Sequence, residues 1–165
     1  MALVLDIDTP AETTLEAQSH YNRAIENISR NNYRKALDHL TQAVHAVPTN
    51  PMYLSSFGFC IAYVERDFER AIRLCRQALK RKPLDPVLRV NLGKVYRMCG
   101  DSHLAHSEFL LAHRLDNCHP APATELQRMG IRRPPILPFL SRSNWCNRYL
   151  GRVRATVERG LRRTV

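Results

Sequence analysis

Small residues and bulky apolar residues recur along this chain at intervals of about 34 residues. Within each interval the apolar positions follow the three- and four-residue spacing of amphipathic helices, and polar positions separate one helix from the next. The pattern therefore predicts a helical repeat, with two helices in each of three units. The positions that recur in register are Ala24, Gly58 and Gly93, then Ala36, Ala71 and Ala105, then Leu40, Cys75 and Phe109, and finally Ala43, Ala78 and Ala112.

Capping residues and prolines indicate where each helix begins. Asn50 and Asp85 each precede a proline, which is favoured at the first helical position, and Thr13 stands three residues before a glutamate in a capping box. Gly100 ends one helix and Asp101 begins the next. We expect helices over residues 14–30, 33–46, 51–64, 68–81, 86–98 and 102–115, with a short seventh helix over about 122–129.

The small residues have a mechanical role in this pattern. Ala24, Gly58 and Gly93 are expected where the two helices of one unit cross, because larger side chains there would push the helices apart. The small residues of the first helices are separated by 34 and then 35 residues, whereas the alanines of the second helices are separated by 35 and then 34. One extra residue in the turn 65–67 of the second unit accounts for this difference. The first unit departs from the pattern, with Arg23 where the later units have apolar residues, as terminal repeats commonly do.

A period of this length with two helices per unit is typical of the tetratricopeptide-repeat family, and the third unit resembles that family most closely. The resemblance covers residues 14–117 and is to small bacterial-type members with three repeats. It implies an all-α fold, a right-handed α-solenoid of helix-turn-helix repeats with a C-terminal capping helix and a basic extension. The residues that carry it are Leu92, Gly93, Tyr96, Gly100, Ala105, Phe109 and Ala112.

The resemblance also implies a partner-binding groove along the inner faces of the first helices. We therefore expect a non-enzymatic scaffold or adaptor that binds a protein or peptide segment without a cofactor. The groove is expected to be apolar and aromatic at one end and positive at the other. Its predicted lining is Tyr21, Ile25 and Ser29 in the first unit, Ser55, Phe59 and Tyr63 in the second, and Asn91, Lys94, Arg97 and Met98 in the third.

Some tetratricopeptide domains grip the carboxylate tails of chaperones with lysine, asparagine and arginine side chains spread over three units. Here Tyr21 and Phe59 stand in places where that clamp needs polar side chains, and only Asn91, Lys94 and Arg97 would serve. The sequence therefore favours a groove that binds an extended or helical apolar peptide.

Length and charge divide the chain of 165 residues into three parts: a flexible start (1–13), the repeats with their capping helix (14–130) and an extension (131–165). Residues 127–165 contain 10 arginines and one glutamate, whereas residues 1–126 contain 15 basic and 14 acidic residues. The excess positive charge therefore belongs to the tail, and its arginines suit phosphate or carboxylate groups. A genome rich in arginine codons would produce the same bias.

The tail is predicted to contain an extended proline-rich linker, residues 132–140, and a basic amphipathic helix that begins near Trp145. Three explanations remain open: the tail packs against the repeats, it binds an anionic membrane surface, or it binds nucleic acid. The apolar residues 136–140 could also mediate self-association. The basic face of the predicted helix consists of Arg148, Arg152, Arg159 and Arg163, and these arginines together with Trp145 are the predicted tail-binding residues.

Signals for chemistry and for membrane insertion are weak. No phosphate-binding loop or nucleophile motif occurs, and the histidines around His103 and His106 lack the carboxylates or paired cysteines of a typical metal site. No apolar run approaches the roughly 20 residues of a membrane-spanning helix, and the first eight residues do not resemble a secretory signal. The five scattered cysteines favour a reduced cytoplasmic protein, with Cys75 in the core. The tail would allow a location at the inner face of a membrane.

Overall fold

A computed structural model describes residues 11–129 and, beyond them, Tyr149 alone. Residues 11–129 form seven α-helices and no β-strand. The helices are α1 (Ala11–Ser29), α2 (Tyr33–Ala46), α3 (Pro51–Val64), α4 (Phe68–Arg81), α5 (Pro86–Cys99), α6 (Ser102–Leu115) and α7 (Pro120–Met129). None of them is long and apolar enough to cross a membrane.

The helices pair as the repeat predicts. The most extensive contacts are those of α1 with α2, α3 with α4 and α5 with α6, and α3 also packs against α2 and α5. The last helix, α7, packs on α6 as a capping helix. The fold is therefore the expected all-α solenoid of successive helix-turn-helix units.

Capping groups hold the helix starts in place. The side chains of Asn50, Asp67, Asp85 and Asp101 each accept a hydrogen bond from a backbone N–H in the first turn of the following helix. Gly100 ends α5 with a φ of +92°, in the left-handed region that glycine adopts at low cost. These features confirm most of the predicted boundaries.

The start of α1 was predicted wrongly. The helix begins at Ala11, so Thr13 lies inside it and does not act as a capping residue. The capping helix α7 likewise begins two residues earlier than expected, at Pro120.

The core lies between the two helices of each unit and is built around the repeated small residues. Leu40, Cys75 and Phe109 are fully buried, as are the alanines of the repeat. A methyl group added at Gly58 would lie 2.9 Å from the carbonyl oxygen of Ala71, and one added at Gly93 would lie 2.6 Å from the Phe109 ring. The helices of a unit therefore approach too closely for a side chain at either glycine.

The Gly93→Ala variant is expected to lower the free energy of unfolding by about 1–2 kcal/mol, because overpacking outweighs the gain in helix propensity. Combining it with Phe109→Leu should cost less than the two single changes added together, since the smaller side chain leaves room for the methyl group. Urea unfolding of the four proteins measures both effects. Strict additivity would contradict the proposed contact, and Gln77→Ala on exposed α4 serves as the neutral control.

Candidate functional site

The first helices α1, α3 and α5 lie side by side and present the surface on which most predicted site residues occur. We call this surface the first-helix face; it also includes Glu125 and Arg128 of α7. α3 and α5 pack directly on each other. α1 and α3 are joined by the rings of Tyr21 and Tyr53, whose centroids lie 4.9 Å apart, and by a hydrogen bond from the Tyr53 hydroxyl to Gln18.

Burial separates the predicted lining residues into two groups. Ile25, Tyr63 and Arg97 are exposed, and Tyr21, Lys94 and Met98 are half-buried. Ser55, Phe59 and Asn91 are buried, with exposed fractions of 0%, 8% and 9%. Only the first group offers substantial surface to a partner.

Ser55 and Asn91, which were predicted as groove-lining residues, form a contact between two units. The Asn91 side-chain amide donates a hydrogen bond of 3.1 Å to the Ser55 hydroxyl, and both groups are enclosed between α3 and α5. The backbone carbonyl of Ser55 also accepts a hydrogen bond from the Cys75 thiol. Both side chains are therefore engaged in a contact between units and offer little surface to a ligand.

The buried Phe59 side chain packs against two residues of the candidate site, Tyr33 and Lys94. Its ring meets the Tyr33 ring edge-on at 5.9 Å, and the Lys94 ammonium lies 5.3 Å from its centroid. Truncating a buried phenylalanine typically costs about 3–5 kcal/mol. A change in binding caused by Phe59→Ala would therefore report on stability as much as on contact with a partner.

Lys94 is the best-placed cation of the first-helix face. Burial lowers the pKa of its ammonium group, an effect that the nearby Glu125 opposes. The Phe59 ring provides a cation–π contact, but no carboxylate in the part of the chain that the structure describes lies within 4.0 Å of its nitrogen. Lys94 is thus partly desolvated without a direct ion pair.

An aromatic pair forms the other end of the face. Tyr63 stacks on Tyr33 of α2, with ring centroids 3.7 Å apart, and 47% of Tyr63 is exposed. A depression of about 580 Å³ opens beside this pair and is also lined by Arg34 and Asp38. The two rings and the two charged side chains give this depression an amphipathic lining.

Arg97 forms an ion pair with the capping helix α7. Its guanidinium group lies 2.9 Å from a carboxylate oxygen of Glu125, and the Arg128 side chain lies 3.4 Å from the other oxygen. Sequence analysis missed both α7 residues. The signal was available, because Glu125 follows Asn91, and Arg128 follows Lys94, by one repeat of 34 residues.

The remaining predicted residues do not add a second site in the described part. Residues 12–129 contain no group of three or more histidine, cysteine or acidic side chains arranged to hold a metal ion. Burial raises the pKa values of the Cys60 and Cys75 thiols to about 12. These two thiols are therefore protonated and unreactive at neutral pH. Trp145, Arg148, Arg152, Arg159 and Arg163, predicted as tail-binding residues, lie outside the described residues.

Known structures share this architecture. The first repeat domain of Spaghetti (RPAP3) bound to the HSP90 peptide SRMEEVD matches with a TM-score of 0.57 and 16% identity, over 70% of this chain and 91% of that one. The Arabidopsis OM64 domain matches with a TM-score of 0.59 and 13% identity, over 73% and 99% of the two chains. The second RPAP3 domain from human, in complex with the HSP70 peptide SGPTIEEVD, matches with a TM-score of 0.57 and 18% identity, over 73% and 99%.

The chain has the tetratricopeptide-repeat fold. All three of these structures are described as tetratricopeptide domains. No protein-family model and no curated protein sequence matches the chain. The fold is therefore recognised through its three-dimensional arrangement and through the repeated positions, while overall sequence identity is low.

The buried Ser55–Asn91 hydrogen bond is expected to stabilise the tetratricopeptide array. We expect Asn91→Ala to lower the free energy of unfolding by about 1–3 kcal/mol, because it leaves a buried hydroxyl without its partner. The double variant with Ser55→Ala should lose less than the sum of the single losses. Urea unfolding measures this coupling, and additive losses would show that the hydrogen bond contributes nothing.

Proposed function

We propose that this protein is an interaction scaffold whose first-helix face binds an extended or helical segment of another protein. The observation that carries the proposal is the partly buried Lys94 ammonium, which lies over the Phe59 ring with no carboxylate within 4.0 Å among residues 12–129. A cation in such surroundings interacts more strongly with an incoming anion than a fully hydrated one does. The exposed side chains of Ile25 and Tyr63 supply apolar surface elsewhere on the first-helix face.

The chemistry of the face favours a mixed segment over a purely acidic one. Apolar side chains of the partner would contact Ile25, Tyr21 and the Tyr63 ring, and a carboxylate would contact Lys94 or Arg97. The similar RPAP3 domains hold HSP90 and HSP70 peptides, which supports peptide binding as a use of this fold. Because Asn91 is enclosed, this chain offers fewer polar groups to a terminal carboxylate than the clamp of chaperone-binding domains.

The test uses peptides selected from a random 12-residue library on the full chain, with affinities measured by fluorescence anisotropy. Lys94→Glu should weaken the selected peptides by about tenfold, which corresponds to about 1.4 kcal/mol, because it replaces the attracting charge with a repelling one. Lys80→Glu makes the same charge change on the exposed surface of α4. We expect that control to change affinity by less than about twofold in the presence of salt, which screens distant surface charges.

Two outcomes would contradict the proposal. One is a selection that yields no specific binder. The other is a set of peptides whose affinities respond equally to Lys94→Glu and to Lys80→Glu, because that result would indicate general charge attraction and not contact with the first-helix face.

A second proposal concerns the tail, and the charge of the sequence favours it. Residues 127–165 carry 10 arginines against one glutamate, so we propose that the tail adds affinity for an anionic surface, either a membrane or a nucleic acid. Arginine near anionic headgroups contributes about 1 kcal/mol in favourable cases. Binding to nucleic acid would weaken steeply as the salt concentration rises, because the release of counterions from the phosphates then becomes less favourable.

Replacing Arg148, Arg152, Arg159 and Arg163 with glutamine in the full chain should reduce binding to vesicles of anionic lipid, or to an oligonucleotide, at least tenfold. Co-sedimentation and anisotropy measure the two cases. A matched control replaces four exposed basic residues of the array with glutamine and should retain binding. Equal losses in the two variants would contradict a specific role of the tail. The control residues are Lys35, Lys80, Arg81 and Lys82.

A further inference from the structure

The carboxylate of Glu125 is buried at the positive end of the first-helix face. Glu125 belongs to the capping helix, yet it forms its shorter ion pair with Arg97 of α5, at 2.9 Å. Only 4% of the residue is exposed, and Arg128 lies 3.4 Å from its second oxygen. A side chain of α7 thus reaches the surface on which a partner's acidic group is expected to bind.

The charges around Glu125 do not cancel. Lys94, Arg97 and Arg128 are three cations facing one carboxylate, so two formal positive charges remain at this end of the face. Glu125 and Arg128 follow Asn91 and Lys94 by one repeat length, 34 residues. In register, α7 therefore stands where the first helix of a fourth unit would lie, with Glu125 at the position of the buried Asn91 and Arg128 at that of Lys94.

Glu125 is also incompletely satisfied. Although its Oε2 atom lies near Arg97, no donor among the described residues makes an aligned hydrogen bond to it. A buried carboxylate without its full set of hydrogen bonds retains part of its desolvation cost. An external carboxylate that keeps more of its hydration could therefore replace it at a small net cost.

We propose that Glu125 is an internal competitor for the acidic groups of a bound segment. Without a ligand, α7 closes the positive end of the first-helix face through Glu125. A sufficiently acidic segment takes over Arg97 and Lys94 and displaces Glu125, so this residue sets how acidic a partner must be. The inference rests on the function proposed above for the first-helix face. A ligand can shift such an equilibrium only by its preference for the open state.

The experiment compares the full chain with its Glu125→Gln variant, using the acidic peptide SRMEEVD and its neutral analogue SRMQQVN as probes in fluorescence anisotropy. Glu125→Gln should bind the acidic peptide at least fivefold more tightly and leave the neutral peptide within twofold. Glu69→Gln removes one exposed carboxylate from α4 and should leave both affinities within twofold. Glu125→Asp, which keeps the charge, should bind the acidic peptide less tightly than Glu125→Gln.

A second readout separates competition from a purely structural role of α7. Addition of the acidic peptide to the unaltered chain should speed amide hydrogen exchange in residues 120–129, because displaced Glu125 releases the helix. A helix that only caps the array would show unchanged or slower exchange. Thermal unfolding of Glu125→Gln checks that the array itself remains folded.

The outcomes distinguish this inference from the proposed function. If Lys94→Glu weakens the selected peptides but Glu125→Gln leaves the acidic peptide unaffected, the competition is wrong and peptide binding stands. Failure of both chains to bind the acidic peptide also overturns the competition. If Lys94→Glu changes no peptide affinity, the proposed function itself fails.

Discussion

The close approach of the two helices in each unit is the constraint on which the other features depend. At Gly58 the backbone of α3 meets a backbone carbonyl of α4, and at Gly93 the backbone of α5 meets the ring of Phe109. This contact covers the rear of each first helix with its second helix. The opposite side of the first helices is then left uncovered by the second helices, and this is the surface proposed to bind a partner. The small residues at positions 58 and 93 consequently determine both the packing within these units and the side on which the candidate site lies.

Periodicity and capping residues made the fold predictable from sequence. The bounds of α2, α3, α4 and α6 agree with the predicted ones. The starts of α3, α4 and α6 carry a capping side chain, such as Asn50 or Asp101, whereas α2, whose Asn32 makes no capping hydrogen bond, was located by the repeat alone. α1 differed because a plausible capping box at Thr13 competes with a helix that simply continues through it. Local signals of similar strength cannot be ranked without knowledge of the tertiary contacts.

The site was less predictable, since helical spacing indicates on which side of a helix a residue lies but not how deeply its side chain is buried. Ser55 and Phe59 lie one turn apart on the same stripe as Tyr63, yet only Tyr63 is exposed. The reason is that α3 is an inner helix, packed against α2, α4 and α5, so neighbours cover most of its circumference. An outer helix such as α1 has fewer neighbours, and its Ile25 is exposed. The depth of a position therefore depends on the place of its helix in the array.

The charge environment of Lys94, where the second and third units meet, is compatible with both a stable array and the proposed binding of an anionic ligand. The Lys94 charge is held by the π-electrons of Phe59 and, at longer range, by Glu125, and neither forms a direct ion pair with it. A tight ion pair at this position would neutralise the charge and leave little for a ligand to gain, whereas a fully buried unpaired ammonium would destabilise the array. The surroundings of Lys94, with the Phe59 ring in contact and the Glu125 carboxylate beyond ion-pair distance, lie between these limits. In the proposed competition, Glu125 then adjusts the binding strength without any change in the residues that hold the helices together.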